Sequence, residues 1–251
     1  MMYVLKVLIR LPFSFVLVLR NLIYEFWFSS RNVNELPGVA ALREKGYYVF
    51  SEKLDAEQVA LLRADFRKIE KVSPPSRVGQ LAGRVYCHGP ISELSNFYIA
   101  RYRDFAEAYF GSKNIRCELT MYQRSWPKAF QSEVPGGEFH IDDNKRNLKF
   151  FIYLTHVDLA HGPFCYVPET HGFRGLTTIL RWWLWEIFRK RIFLYEFGIK
   201  NLNLESKEIP IVGEPGLCFC ADTTGYHRAA QLEAGEREVF VVSFTRNVIQ
   251  L

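Results

Sequence analysis

Residues 148–157, LKFFIYLTHV, 162–168, GPFCYVP, 217–222, LCFCAD, and 238–246, EVFVVSFTR, decide the reading of the fold. Each is a short run rich in β-branched and aromatic residues, and Gly, Pro, Asp or Asn stands beside each one. Two runs upstream, CELTMYQ (117–123) and GEFHID (137–142), continue the pattern. Several short strands spaced by Gly and Pro turns predict an all-β sandwich or barrel. No internal repeat or low-complexity tract interrupts them.

Upstream of this half the signals are helical. GYYVF (46–50) reads as a strand after a Gly, and Asp55-x-x-Gln58 reads as a capping box. Val59, Leu62, Phe66 and Ile69 follow at spacings of three and four, which predicts an amphipathic helix ending near Val72. SPPS (73–76) is a loop, and residues 95–111 predict another helix with Gly111 near its end. The chain has 251 residues, 49% of them hydrophobic and 16% aromatic, which excludes disorder. A net charge of +5 is too mild to argue for nucleic acid; it suits an anionic small substrate or an anionic membrane surface. Five cysteines without a C-x-x-C pair predict neither a disulfide framework nor a structural zinc site, and favour a reducing, cytoplasmic setting. Cys218 and Cys220 sit two apart and share one strand face, as buried, inert thiols.

Residues 1–36 read as an arm separate from the domain at 37–251. The longest uncharged run, Leu11 to Leu19, is too short for a transmembrane helix, and no small-residue cleavage site follows it. On a helical wheel Lys6, Arg10, Ser14, Arg20, Asn21 and Glu25 fall on one side and bulky apolar residues cover the rest. That is the pattern of a helix lying in a membrane interface, with Pro12 kinking it. The alternative is packing against the domain's own core or a second subunit in a homo-oligomer. A second aromatic, basic stretch, Leu176 to Lys200, places Trp182, Trp183 and Trp185 beside Arg and Lys. It suits either the headgroup level of a membrane or a helical insertion, at about 175–200, with a buried aromatic side.

His140-Ile141-Asp142 places an imidazole and a carboxylate two apart, on one face of an extended segment. An iron(II) centre that activates O2 needs two His and one carboxylate on one side, with the remaining positions open. The third ligand must come from elsewhere, and His227, just after LCFCAD, is the best placed. His156-Val157-Asp158 is a second copy of the motif, but the intervening LKFFIYLT carries the chain roughly 26 Å. The two pairs therefore belong to opposite ends of the β-structure, and His156, Asp158 and His161 read as surface or turn residues.

From about Gly46 to Arg246 the sequence resembles the phytanoyl-CoA dioxygenase family of iron(II)/2-oxoglutarate oxygenases. The resemblance rests on GYYVF with its capped helix, GGEFHIDD (136–143), THVDLAHGPFCYVPETHG (155–172) and GEPGLCFCADTTGYHRAAQLEAGERE (213–238). The combined order of H-x-D, Gly-Pro turn, Pro-x-x-His, distal His and then Arg carries it. The resemblance implies a double-stranded β-helix, mainly β with flanking helices, and an enzyme that uses Fe(II), 2-oxoglutarate and O2 to hydroxylate a C–H bond. It makes His140, Asp142 and His227 the iron ligands and Arg237 the clamp for the distal carboxylate of 2-oxoglutarate, with Arg228 and Arg246 as competitors; Gln123 matches a polar contact to the same co-substrate. Glu169 departs from the pattern, standing where the family's Pro-Gly-Ser-His turn has Gly. Asp142 argues against the halogenase variant, which lacks the carboxylate. Lys145 and Arg146, Arg124 and Lys128, and Arg174 are expected to gather around the mouth and favour an anionic substrate. With the arm, they suggest an enzyme peripheral on the cytoplasmic face of the membrane, acting on a lipid-linked acidic sugar. Within the family that resembles the hydroxylase of the 3-deoxy-D-manno-octulosonic acid (Kdo) of lipid A in lipopolysaccharide. A soluble oxygenase acting on acyl-CoA or a small metabolite, and a non-enzymatic membrane protein with a vestigial metal site, are the alternatives.

Overall fold

A computed structural model describes residues 36–72, 78–81, 84–88, 92–127, 137–142, 146–172 and 203–246, with Val16, Val18, Leu19, Leu22 and Ile23 of the arm. The rest of the arm and the stretch at 175–200 lie outside the described residues. Among the described residues from 36 onward, three α-helices, α1 (Val39–Lys45), α2 (Ala56–Val72) and α3 (Glu93–Phe110), accompany ten strands. The strands are β1 (Tyr47–Val49), β2 (Val78–Leu81), β3 (Arg84–His88), β4 (Ile115–Ser125), β5 (Asn147–Tyr153), β6 (Phe164–Tyr166), β7 (Ile209–Ile211), β8 (Cys218–Asp222), β9 (His227–Ala229) and β10 (Arg237–Arg246). A major antiparallel sheet runs β1–β8–β5–β10–β4–β3–β2, and a minor one runs β7–β6–β9. The two sheets face each other as the expected double-stranded β-helix.

Period-two alternation assigns each face of the major sheet. Phe150 of β5, Cys218 and Cys220 of β8, and Phe240, Val242 and Phe244 of β10 join the helices in one core. Tyr102 of α3 stacks on Phe150 there at 4.5 Å between ring centroids. Phe151 and Tyr153, Phe219 and Ala221, and Val239 and Val241 face the minor sheet and form a second core with Phe164 and Tyr166. Phe151 lies 4.8 Å from the rings of both Phe164 and Phe219. Both faces of the central strands are thus covered, which is why EVFVVSFTR carries an unbroken apolar run from Val239 to Val242.

Local signals hold where the backbone needs them. The Gln58 amide N–H donates to Asp55 Oδ1 at 2.8 Å, and Asp55 N–H donates to Gln58 Oε1 at 3.1 Å, the reciprocal capping box at the start of α2. Gly46 turns the chain from α1 into β1 at φ 85°, where a Cβ would lie 2.3 Å from Tyr166 Oη. GEFHID, by contrast, is not a strand: only His140 pairs, through an isolated bridge to His227.

Glu169 adopts φ 61°, the left-handed conformation that Gly takes without cost. Its N–H donates to Lys45 O at 3.0 Å, so the tight turn is kept despite the side chain. Thr170 continues it, donating to Val167 O at 2.7 Å and accepting from Tyr226 N–H at 2.8 Å. The turn therefore braces the residue beside His227 at the expense of local strain. Left-handed backbone costs an L residue about 1–2 kcal/mol, partly offset by the greater freedom of Gly in the unfolded chain. Glu169→Gly is expected to stabilise the fold by about 1 kcal/mol, read as a higher urea midpoint at unchanged slope; a lower midpoint would contradict the strain.

Candidate metal centre

The site begins with a backbone pairing. His140 N–H donates to His227 O at 2.9 Å, and His227 N–H donates to His140 O at 3.0 Å. Asp142 N–H donates to Thr223 O at 3.0 Å, so segment 137–142 lies along the turn between β8 and β9. The two imidazole rings come within 4.4 Å of each other. Nδ1 of His140 lies 2.8 Å from Glu138 O, and Nδ1 of His227 lies 2.9 Å from Gly225 O. A carbonyl can only accept, so Nδ1 carries the proton in each ring and the lone pair is on Nε2. Those Nε2 atoms lie 3.8 Å from Asp142 Oδ1 and 3.5 Å from Asp142 Oδ2. One donor atom from each of the three residues lies within 4.8 Å of the others. Two neutral imidazoles and a carboxylate on one side are the donor set that suits non-haem iron(II) with open positions.

Burial alone would raise the Asp142 carboxyl. Lys149, His227 and His140 outweigh it and hold the group well below the usual carboxylate range. The strongest of these, Lys149, places Nζ 2.7 Å from Oδ2. The carboxylate is thus ionised and ready to ligate at any physiological pH.

A cavity of about 240 Å³ opens from the three ligands into the space between the sheets. Arg237 and Gln123 both line it, in agreement with the sequence. Arg237 follows the inward alternation of Val239 and Val241 and is buried, with an Nη1 that has no hydrogen-bond partner. A buried guanidinium nitrogen without a partner on a cavity wall fits a carboxylate arriving from outside the protein. Gln123 donates to Ser125 Oγ at 3.1 Å. Of the competing arginines, Arg228 points away, giving two hydrogen bonds to Glu208 at 2.8 and 2.6 Å and lying 4.7 Å from the Phe139 ring. Arg246 ends β10, at the opposite end from Arg237.

Two expected mouth cations are elsewhere. Arg124 alternates with Gln123, so it faces the helices and pairs with Glu70 of α2 at 2.8 Å. Arg146 is buried, donating to Asp222 Oδ2 and Tyr109 Oη, both at 2.7 Å, and so ties α3 to β8. Lys128, Lys145 and Arg174 lie outside the described residues. The cavity instead takes its further positive charge from Arg84 and Lys149, neither singled out from the sequence. Lys149 was legible as the one charge on the face it shares with Phe151 and Tyr153 in LKFFIYLT; RVYCH carried no comparable signal.

His156, Asp158 and His161 form a second cluster of donor atoms within 4.8 Å. Asp158 is occupied with its own turn, accepting from Ala160 N–H at 2.8 Å and from His161 Nδ1 at 2.7 Å. His156 and Asp158 are exposed.

No protein-family model and no curated protein matches the sequence. Solved structures do. The chain is similar to the non-heme alpha-ketoglutarate-dependent epimerase SnoN of nogalamycin biosynthesis, solved in complex with Fe3+, alpha ketoglutarate and nogalamycin RO, with TM-score 0.61, 15% identity and 83% of this chain covering 82% of that one. It is similar to the non-heme alpha-ketoglutarate-dependent carbocyclase SnoK of the same biosynthesis, at TM-score 0.59 and 16% identity, with 88% and 91% covered. EctD from S. alaskensis, solved with 2-oxoglutarate and 5-hydroxyectoine, aligns at TM-score 0.58 and 14% identity, with 86% and 79% covered. At these identities the likeness establishes the fold: the double-stranded β-helix that those proteins share.

The ligand set has a direct test. In calorimetric titration with Co(II), His140→Ala, Asp142→Ala and His227→Ala are each expected to abolish tight binding, while His156→Ala binds as the wild type does. Equal loss at His156 would move the centre to the other end of β5.

Proposed function

We propose that this chain is an iron(II)- and 2-oxoglutarate-dependent oxygenase. The observation that carries the reading is the joint placement of the His140–Asp142–His227 donor set and the orphaned Arg237 guanidinium in one cavity. Iron bound there, with 2-oxoglutarate and O2, supplies oxidation of a substrate C–H bond to C–OH, with 2-oxoglutarate leaving as succinate and CO2. The chain's own part is positional. His140 and His227 present Nε2 because backbone carbonyls hold their Nδ1 protons, and Lys149 fixes the second oxygen of Asp142. Arg237 offers a guanidinium fork matched to a carboxylate, and Phe151, Tyr153 and Phe164 form walls that exclude water. No side-chain general base is required.

The substrate we infer is anionic and membrane-held, with the Kdo sugar of lipid A as the specific choice, and the protein peripheral on the cytoplasmic face. Resemblance to the phytanoyl-CoA dioxygenase family supports the hydroxylase activity. The arm supports the membrane setting: Val16, Leu19 and Ile23 are helical and exposed, while Val18 is buried. Spacings of three and four put the three exposed residues on one face, available to a bilayer interface or to a second copy. Among the described residues no helix is long and apolar enough to cross a membrane.

Incubation with Fe(II), 2-oxoglutarate and O2 is expected to release succinate, and Kdo-containing lipid A to gain the mass of one oxygen atom. Release of succinate without that gain would keep the oxygenase and discard the substrate. Removing one partner of a buried charged pair costs about 3–5 kcal/mol, so Arg237→Ala is expected to raise the KM for 2-oxoglutarate by at least about 100-fold. The KM for the organic substrate should move far less.

Deletion of residues 1–35 is expected to release the protein from anionic liposomes in flotation. Each of Lys6, Arg10 and Arg20 contributes about 1 kcal/mol near such a surface. Uncoupled decay of 2-oxoglutarate should survive the deletion, because every ligand lies after residue 120. Joint loss of oligomeric state and metal binding would instead make the arm a subunit contact.

A further inference from the structure

A second group of donor side chains lies outside the cavity, beyond the end of β5 that is farther from Asp142. Val157 is buried and exchanges both backbone hydrogen bonds with Gly213, its N–H donating at 2.9 Å and its carbonyl accepting at 2.8 Å. Successive side chains of an extended segment alternate, so His156 and Asp158 both point out of the fold. His161 is bridged to Leu232, and Gly235 packs so closely on its ring that a Cβ there would lie 2.7 Å from Nε2. Glu233 N–H donates to Ala160 O at 2.8 Å. Three loops therefore hold the group in place: the one after β5, the one between β7 and β8, and the one between β9 and β10.

His156 Nε2 lies 3.6 Å from Asp158 Oδ2, close to the spacing in the cavity centre, where the imidazoles are 3.5 and 3.8 Å from Asp142. Donor atoms placed tetrahedrally at the usual zinc distances are about 3.4 Å apart. His156 Nδ1 is 3.0 Å from Glu214 Oε1. A carboxylate only accepts, so Nδ1 carries the proton and the lone pair is on Nε2, the arrangement that carboxylates impose on metal-ligating histidines. Asp158 Oδ1 is held by its turn, accepting from Ala160 N–H at 2.8 Å and from His161 N–H at 3.2 Å, and Oδ2 faces His156. His161 turns Nδ1 to the same carboxylate, 2.7 Å from Oδ1. One donor atom from each of the three residues lies within 4.8 Å of the others. Two imidazoles among three donors suit zinc, whereas magnesium and calcium take oxygen.

We propose that His156, Asp158 and His161 form a second metal site, of the zinc type, with His156 Nε2, Asp158 Oδ2 and His161 Nδ1 as ligands, water in the fourth position and Glu214 orienting His156 from the outer side. Binding moves the one proton of the neutral His161 ring from Nδ1 to Nε2 and leaves the turn's hydrogen bonds to Asp158 Oδ1 from Ala160 and the His161 backbone in place. The metal clips the turn after β5 and steadies the fold. The site is independent of the oxygenase reading, since none of its residues lines the cavity.

The test is a Zn(II) titration of the full chain in competition with a chromophoric chelator, with thermal melting followed in parallel. The wild type is expected to take up two zinc ions, the cavity centre filling first and the outer site in a weaker step, because His156 and Asp158 are solvated. His156→Ala and His161→Ala should each remove the weaker step and keep the tight one, and His140→Ala should do the reverse. Asp158→Asn keeps an oxygen for the backbone donors of the turn, so the loop survives, yet it should also lose the weaker step. Glu214→Gln should weaken that step about 10- to 100-fold, the usual effect of removing an outer partner of a ligating histidine. In the His140→Ala chain, added zinc should raise the melting temperature, and the further change His156→Ala should cancel the rise. Uptake of a single zinc by the wild type would overturn the proposal, as would a weaker step that survives both His156→Ala and Asp158→Asn. Neither result involves 2-oxoglutarate, so the oxygenase reading would stand or fall separately.

Discussion

The reciprocal hydrogen bonds between the backbones of His140 and His227 set the geometry on which the rest of the site depends. They join the segment after β4 to the start of β9, two stretches far apart in the chain, at a single residue pair. A hydrogen-bonded antiparallel pair places its side chains on one side at a separation of about 5.5 Å between Cα atoms. Two imidazoles are thereby brought together before any metal arrives, and Asp142 follows because its own N–H is held by Thr223. The bridge is isolated, so its precision comes from outside it. The Glu169–Thr170 turn supplies that support by holding Tyr226, one residue from the ligand.

The pleat of β10 then separates charges that would otherwise neutralise one another. Arg237 points inward, while Glu238, its neighbour, points to the helices, where Arg63 donates to Oε2 and Arg67 to Oε1. Glu238 is fully buried and satisfied on that side. The acid that follows Arg237 in sequence is thus withheld from it by strand geometry, and the guanidinium stays available to an incoming anion. The same logic acts on β4, where Gln123 serves the cavity and Arg124 serves α2.

Strand patterns and motif order made most of this legible. An all-β sandwich or barrel followed from apolar runs between turn residues, its jelly-roll form from the family resemblance, and the ligands from H-x-D and a distal His. Arg237 followed only from the family resemblance, which places an arginine ten residues after the distal His. Arg124 and Arg146 were misplaced because counting charges near a motif ignores the pleat: Arg124 is one residue from Gln123 and must face the other way. Arg146 belongs to a buried pair with Asp222, a contact across 76 residues that no local pattern announces. Arg84 was invisible because β3 is five residues long and its cavity-facing side is formed only by pairing with β4. Glu169 was seen as a departure from the Gly of the turn, but only the backbone angle shows that the turn keeps its shape.

The five cysteines are all unpaired, and their distribution gives the molecule a set of internal reporters. Burial pushes the Cys87 thiol up to about 11 and the Cys165 thiol to about 12, and raises Cys218 and Cys220 as well. A protonated, enclosed thiol reacts with an alkylating reagent only after the chain around it opens. Cys87 lies on β3, Cys117 on β4, Cys165 on β6, and Cys218 and Cys220 on β8, so both sheets are sampled. Half-buried Cys117 marks surface fraying, and the other four time the parting of the layers. Modification rates that coincide at Cys165 and Cys220 would mean that the minor sheet and the helix-backed sheet come apart as one cooperative unit.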